Sequence, residues 1–343
     1  MKTPNHILVI RLSAMGDVAM TVPVLRVLSK TYPNLKITVV SKNKFRPIFK
    51  DIPYIHFLEA DVYGKHKGFR IFSLAKEAKE EKIDAVADLH NVLRSKFLRW
   101  ILWFSGIKNQ KIDKGRTEKK QLTEANGKPL KKLKSTQQRY AEVFSKLGLP
   151  IELQNHKVPP PQKLSAAMHE VIGNQPKKLI GIAPFAAHQG KMYPLHLMKE
   201  VVAILYAKEQ HKIFLFGGGK EEEKILAQWK KDFPNLINVA GRMSFNEELS
   251  LISNLDGMIA MDSGNGHLAA MYGVPVITLW GVTHPYMGFV PFGQPNTHQI
   301  VANREEFPLI PTSVYGNELP AGYDKAMETI PVSLVVEKTL KIF

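Results

Sequence analysis

The 343-residue chain contains no cysteine, which excludes disulfides, thiol nucleophiles and thiolate-held zinc and fits a reducing compartment. No apolar run approaches the roughly 18 residues of a membrane span. The first apolar run, HILVI, is stopped after five residues by Arg11, too short for the core of a signal peptide. It reads instead as the first strand of a cytoplasmic protein. There is no Asp-x-Asp pair, a common holder of Mg²⁺ on a nucleotide sugar, and no G-x-x-x-x-G-K-[ST] phosphate loop. Internal repeats are absent as well, which excludes a solenoid. Acids are scarce beside bases: 31 Asp and Glu face 47 Lys and Arg, for a formal net charge of +16.

What is present describes a soluble two-domain α/β protein. Hydrophobic residues make up 44% and charged residues 23%, and the length exceeds the roughly 250 to 300 residues at which single cores stop growing. In the first half, short apolar runs (HILVIRL, KITVVS, IDAVADLH) alternate with helix-period segments such as DVAMTVPVLRVLSKTY, which predicts βαβ units and a parallel sheet. The proline-rich stretch Asn155–Leu164 marks a linker, giving domains at 1–158 and 159–343, with the last helix packing back on the first domain. After it the pattern restarts with KLIGIAPF, HKIFLFGGG, NLINVAG, GMIAMDSG and PVITLWG. Two doubly wound domains facing a central cleft are expected, with ligands at the carboxyl ends of the strands. The basicity is concentrated between Asn91 and Lys146, where 15 Lys and Arg meet 4 Asp and Glu. Such a patch attracts phosphates of nucleic acid or of lipid headgroups, unless it is simply a solvated face. Within it, the polar stretch Ser105–Lys134 is expected to contain a mobile loop.

The strand ends carry the candidate chemistry. In MDSGNGHLAAMYG, Asp262, Ser263, Gly264, Asn265, Gly266 and His267 follow a strand and open a helix, where small residues and unpaired amides suit a diphosphate. Gly264, Gly266 and Ala269 match G-x-G-x-x-A, but no acid follows between Asp262 and Glu305 to hold a ribose, so the dinucleotide reading loses its second element. In LFGGGKEEEK a glutamate at 221, 222 or 223 can accept both ribose hydroxyls, or merely complement a helix dipole. In PFAAHQGKMYP, His188 and Lys191 follow a strand, and a lysine there acts as a point charge on a phosphate. Asp17, in RLSAMGDV, is either an N-terminal helix cap or a general base at the end of the first strand.

Taken together, ILVIRLSAMGDVAMTVPVLRVL, GIAPFAAHQGKMYP, GGGKEEE and MDSGNGHLAAMYGVPVITLWGVTHP resemble the heptosyltransferases of lipopolysaccharide core synthesis, glycosyltransferase family nine. The resemblance implies a GT-B fold, an ADP-heptose donor held by the C-terminal domain and inverting transfer to a hydroxyl of the inner core held by the N-terminal domain. It places the catalytic base at Asp17, with Met15 and Gly16 beside it on the donor side, the diphosphate lysine at Lys191 and the ribose acid at Glu221. The D-[ST]-G-x-x-H signature falls on Asp262, Ser263, Gly264 and His267. Two departures stand out: Ala187 replaces a hydroxyl residue before His188, and Asn265–Gly266 replaces the commoner Leu-Ser.

The basic segment then faces a phosphorylated, Kdo-bearing lipid acceptor, with Ser13, His90, Asn91, Arg94, Arg116, Lys119 and Lys120 as acceptor-side candidates. The implied protein is a monomer without tightly bound cofactor or metal, peripheral to the inner membrane and without a nucleic-acid partner. FLRWILWF, Phe97–Phe104, reads foremost as an ordinary buried helix and secondarily as an interfacial element. The competing functions are transfer from another nucleotide sugar, a GT-B-like nucleotide-sugar epimerase, and a nucleic-acid-binding protein that would leave Asp17 and Lys191 without a task.

Overall fold

Strand HILVI is buried at every position, and it forms the centre of the first of two parallel sheets. The computed structural model describes residues 3–124, 129–173 and 177–343, which divide into unit 1 (Met1–Lys114 and Ser135–Lys157) and unit 2 (Gly115–Lys134 and Val158–Phe343). In chain order the elements are β1 (His6–Ile10), α1 (Met15–Ala19), α2 (Thr21–Thr31), β2 (Lys36–Ser41), β3 (Ile55–Glu59), α3 (Ile71–Glu80), β4 (Ala85–Asp88), α4 (Leu93–Phe104), β5 (Lys108–Lys111), α5 (Arg116–Thr123), α6 (Thr136–Lys146), α7 (Ala166–Ile172), β6 (Lys178–Ala183), α8 (Leu195–Ala207), β7 (His211–Leu215), α9 (Lys220–Asp232), β8 (Ile237–Asn238), α10 (Phe245–Ile252), β9 (Gly257–Met261), α11 (Gly264–Ala270), β10 (Val276–Trp280), β11 (Gln299–Val301) and α12 (Val332–Ile342). Among the described residues no helix is long and apolar enough to cross a membrane.

The sheet of unit 1 has the order β3-β2-β1-β4-β5, every pair parallel, with Val9 set between Val39 and Ala87. A strand with neighbours on both edges and helices on both faces has no polar face, which is why β1 reads as a continuous apolar run rather than an alternation. α3 and α4 cover one face, where Ile71, Leu74, Ala75, Leu98 and Leu102 pack on Leu8, Ile10 and Val86. The single helix expected from Asp17 to Tyr32 is broken at Met20 into α1 and α2. Pro23 has no N–H to give the carbonyl four residues back, so the helical ladder restarts there. The Thr21 hydroxyl meanwhile donates to the Val18 carbonyl at 2.7 Å.

The sheet of unit 2 has the order β11-β10-β9-β6-β7-β8, again all parallel. Counted from its own first strand this is 3-2-1-4-5-6, the Rossmann order. NLINVAG contributes only the two residues of β8. α12 packs on α8 within unit 2, with Val335 and Val336 in that unit's core. The last helix therefore clusters with unit 2. The Phe343 ring occupies the space a side chain at Gly257 would need.

The segment Ser105–Lys134 also holds regular structure. Lys108–Lys111 pairs with β4 as an edge strand, its lysines suiting an open edge, and Arg116–Thr123 is helical. The rest of the expected mobile loop falls partly on residues 125–128, outside the described residues. Gly115–Lys134 clusters with unit 2 although it precedes the proline-rich stretch, and the chain finally passes to unit 2 after Lys157. Each sheet reverses its strand order once, between β1 and β4 in unit 1 and between β6 and β9 in unit 2. Crevices at such reversals, at the carboxyl ends of the strands, are where sheets of this kind bind ligands.

Candidate functional site

At the unit 1 reversal, β1 runs out at Ile10 and is followed by Arg11, which is buried. Its Nη1 donates to the Leu89 carbonyl just beyond β4 at 2.8 Å, and its Nη2 pairs with Asp17 Oδ2 at 2.5 Å. Asp17 is the third residue of α1, and the Ala14 N–H donates to the same Oδ2 at 3.3 Å. The cap and the ion pair thus both use one carboxylate oxygen, while Oδ1 accepts no hydrogen bond among the described residues. The Asp17 side chain is 30% exposed and that of Arg11 only 6%, so the anion is the member of the pair offered to a ligand. The buried Tyr140 hydroxyl donates to the Asp17 carbonyl at 3.3 Å, and its ring lies 6.0 Å from the guanidinium carbon. Burial, helped by the Asp17 charge, pushes the Tyr140 phenol up, so it stays neutral.

The end of β4 supplies the other side of this place in unit 1. Asp88, fully buried, accepts the backbone N–H groups of His90 at 3.0 Å and Asn91 at 2.7 Å. Arg99 Nε stands 3.4 Å from Asp88 Oδ2, an ion pair without hydrogen-bond alignment. Asn91 adopts φ +46° and donates through Nδ2 to the Ile112 carbonyl. His90 is buried, and burial together with the Arg11 and Lys114 charges lowers its pKa to about 3. It is therefore a neutral imidazole, and its Nδ1 has no hydrogen-bond partner among the described residues. Arg94 is exposed and stacks 5.2 Å from the Tyr63 ring, with Lys42 Nζ 4.7 Å from the same ring. Ser13, Met15 and Gly16 are half-buried around the start of α1.

Unit 2 builds its counterpart from β6 and β9. Lys191, in the turn Gln189–Lys191 after β6, pairs through Nζ with Asp262 Oδ2 at 2.8 Å. The Thr283 hydroxyl donates to the same oxygen at 3.0 Å. Here the side-chain exposures are 16% for the lysine and 6% for the aspartate, so the cation is offered and the signature acid Asp262 holds it. Ser263 precedes α11 at its N-cap position without a capping bond, and its Oγ is buried without a hydrogen-bond partner among the described residues. Gly264 and Asn265 form the first turn. Gly266 faces the sheet, where an added Cβ would touch Val276 and Ala260 at 3.4 and 3.5 Å, and His267 is buried. His188 is exposed one turn before Lys191. Gly190 is packed so closely against Val282 and the Gly316 carbonyl that a side chain would collide.

The three glutamates differ. Glu222 accepts the Gly218 N–H at 2.8 Å, Glu223 lies against Gly241, and Glu221 is exposed at the start of α9. Arg116, Lys119 and Lys120 stand apart from the other acceptor-side candidates in chain clustering. All three lie on α5 in unit 2. Lys119 is buried with Nζ 3.8 Å from the centre of the Phe289 ring, and Lys120 pairs with Glu124 on its own helix at 3.5 Å. Lys119 and Leu122 are the buried face of this short helix, and the lysine stem serves as packing. Two site residues escaped the sequence reading. Arg11 left a signal, a charge set directly after an apolar strand; Thr283 left none.

Two Rossmann-like domains of this kind define the GT-B class of glycosyltransferase. The family model for glycosyltransferase family 9 (heptosyltransferase) matches residues 71–318, and the chain belongs to that family. It is 26% identical over 301 residues to lipooligosaccharide heptosyltransferase 2 of Haemophilus influenzae, covering 82% of this chain and 84% of that one. A glycosyltransferase family 9 structure from Veillonella parvula superposes with a TM-score of 0.76 at 20% identity, covering 100% of this chain and 98% of the other. The structure of the ADP-heptose LPS heptosyltransferase II of E. coli does so with a TM-score of 0.68 at 20% identity, covering 98% of both chains.

Proposed function

We propose that this glycosyltransferase moves heptose from ADP-heptose to a hydroxyl of the lipopolysaccharide inner core with inversion at the anomeric carbon. The observation that carries this reading is the pair of oppositely presented charges at the two strand-order reversals: a carboxylate with one open oxygen at Asp17 and an ammonium at Lys191. Asp17 takes the proton of the acceptor hydroxyl as that oxygen bonds to the anomeric carbon and the bond from the anomeric carbon to the diphosphate breaks, releasing ADP. Lys191 meets the charge developing on the leaving diphosphate, and Asp262 and Thr283 hold the lysine in place. Ser263 Oγ, next in the chain to Asp262, is an unused donor, and Glu221 is the glutamate free to accept ribose hydroxyls. Neutral His90 and exposed Arg94 serve the acceptor side, the first by hydrogen bonding and the second by charge.

The test is calorimetric titration with ADP, ADP-heptose, UDP and NAD, followed by incubation of ADP-heptose with a phosphorylated, Kdo-bearing lipid acceptor and NMR of the product's anomeric configuration. Selective binding of the ADP pair and an inverted glycoside are expected. Preference for UDP would replace the donor, and conversion of free nucleotide sugar without acceptor would replace transfer with epimerisation.

A further inference from the structure

α4 is buried on one face and carries large apolar side chains on the opposite, exposed one. Ser95, Leu98, Arg99 and Leu102 point to the sheet and are buried. At 100° per residue, Leu93, Phe97, Trp100 and Phe104 fall on a single stripe diametrically opposite, and all four are exposed, Phe104 by 82%. The ordinary buried helix expected for Phe97–Phe104 is therefore only half the description. Phe97 and Trp100 meet edge to face at 5.8 Å between ring centres, and Trp103, also exposed, lies 5.0 Å from Phe104. α3 covers the same sheet face and adds exposed Phe72, with Phe69 in the turn before it 91% exposed.

We propose that this face of unit 1 docks on an anionic lipid bilayer, with Phe97, Trp100 and Phe104 entering the headgroup region. A contiguous stripe of aromatic rings facing water is not explained by folding, because the core already uses the other side of the same helix. Indole and phenyl rings on an exposed helix favour the boundary between headgroups and acyl chains. Charge chooses the occupant. From Leu89 to Ile112 the chain has no Asp or Glu, while Arg94, Lys96, Lys108 and Lys111 lie in that span and Lys67 and Arg70 flank Phe69. Bases that flank an apolar stripe along the chain, with no acid among them, complement lipid phosphates. The proposal stands on this surface alone and needs no glycosyl transfer.

Of the four tryptophans, Trp229 and Trp280 are buried in unit 2, so Trp100 and Trp103 report contact with lipid. The full chain is titrated with phosphatidylglycerol–phosphatidylethanolamine vesicles and with pure phosphatidylcholine vesicles, both free of saccharide lipid. Expected are co-sedimentation with the anionic vesicles only, a blue shift of tryptophan emission, and quenching by lipids brominated in the acyl chains. The variant Phe97→Ser/Trp100→Ser/Phe104→Ser should lose at least tenfold in vesicle affinity with ADP binding retained. Lys96→Gln/Lys108→Gln should weaken binding severalfold without abolishing the blue shift. No binding by the native chain, binding without quenching, or undiminished binding by the serine variant would each overturn the proposal. So would sedimentation showing a dimer that the serine variant dissolves, which would assign the face to a second copy.

Discussion

The two strand-order reversals hold the same device with its sign inverted. In unit 1 the arginine is buried and the aspartate faces out; in unit 2 the aspartate is buried and the lysine faces out. Both cations reach from the residues following the sheet's first strand to a group just beyond the fourth: Arg11 donates to the Leu89 carbonyl beyond β4, and Lys191 pairs with Asp262 beyond β9. Topology decides where a ligand goes, and the choice of which partner to bury decides whether the place offers a proton acceptor or a phosphate binder. The buried member also fixes the exposed one, because removing either leaves a charge without its counter-charge in a desolvated place.

The largest expected effect comes from Asp17→Asn, which keeps the shape and removes the base. Turnover should fall by about 10²- to 10⁴-fold, while ADP affinity measured by calorimetry stays the same; an unchanged turnover would leave Asp17 as a helix cap and dissolve the comparison. Next, Lys191→Ala should weaken ADP binding by roughly ten- to a hundredfold, the worth of about one charged hydrogen bond. If ADP affinity held, the cation of unit 2 would be structural only. A smaller effect separates the imidazoles whose pKa burial lowers. His90, with a folded pKa of about 3 against 6.5 when unfolded, binds fewer protons in the native state across that window. Stability should therefore fall as pH drops below 6.5, by about 1.4 kcal/mol per pH unit for this one group. Urea midpoints of His90→Gln should show a shallower decline from pH 7 to 5, the remaining slope including His156 and His284, both lowered to about 4 chiefly by burial. Smallest is Thr283→Val, which takes one donor from Asp262 and should cost about 1 kcal/mol, read as a severalfold loss of ADP affinity; no loss would mean that Lys191 alone holds Asp262.

Much of this was legible beforehand. The buried parallel strands announced themselves as unbroken apolar runs, and the residues after β1, β6 and β9 stood out as small or charged groups at strand ends. What could not be read were contacts made across long stretches of chain. Nothing local to GVTHP says that Thr283 bonds Asp262, and nothing in RTEKKQLT says that Lys119 is buried against an aromatic ring far downstream. The exposed stripe on α4 was ambiguous for another reason: large apolar residues lie nearly all round the helix, and only the packed structure shows which side the core takes.

The excursion of residues 115–134 into unit 2 bears on how the chain is made. α5 leaves the ribosome about 170 residues ahead of Phe289, whose ring Lys119 meets in the finished protein. At roughly 5 to 20 residues per second, its buried face, Lys119 and Leu122, waits on the order of ten seconds or more for its partner. The first Rossmann sheet can close in that interval, but with a segment of the second unit paid out between β5 and α6. Folding of this protein during synthesis is for that reason not a simple succession of two domains, and a chimera joined at Lys157 would inherit a helix whose socket belongs to the other parent.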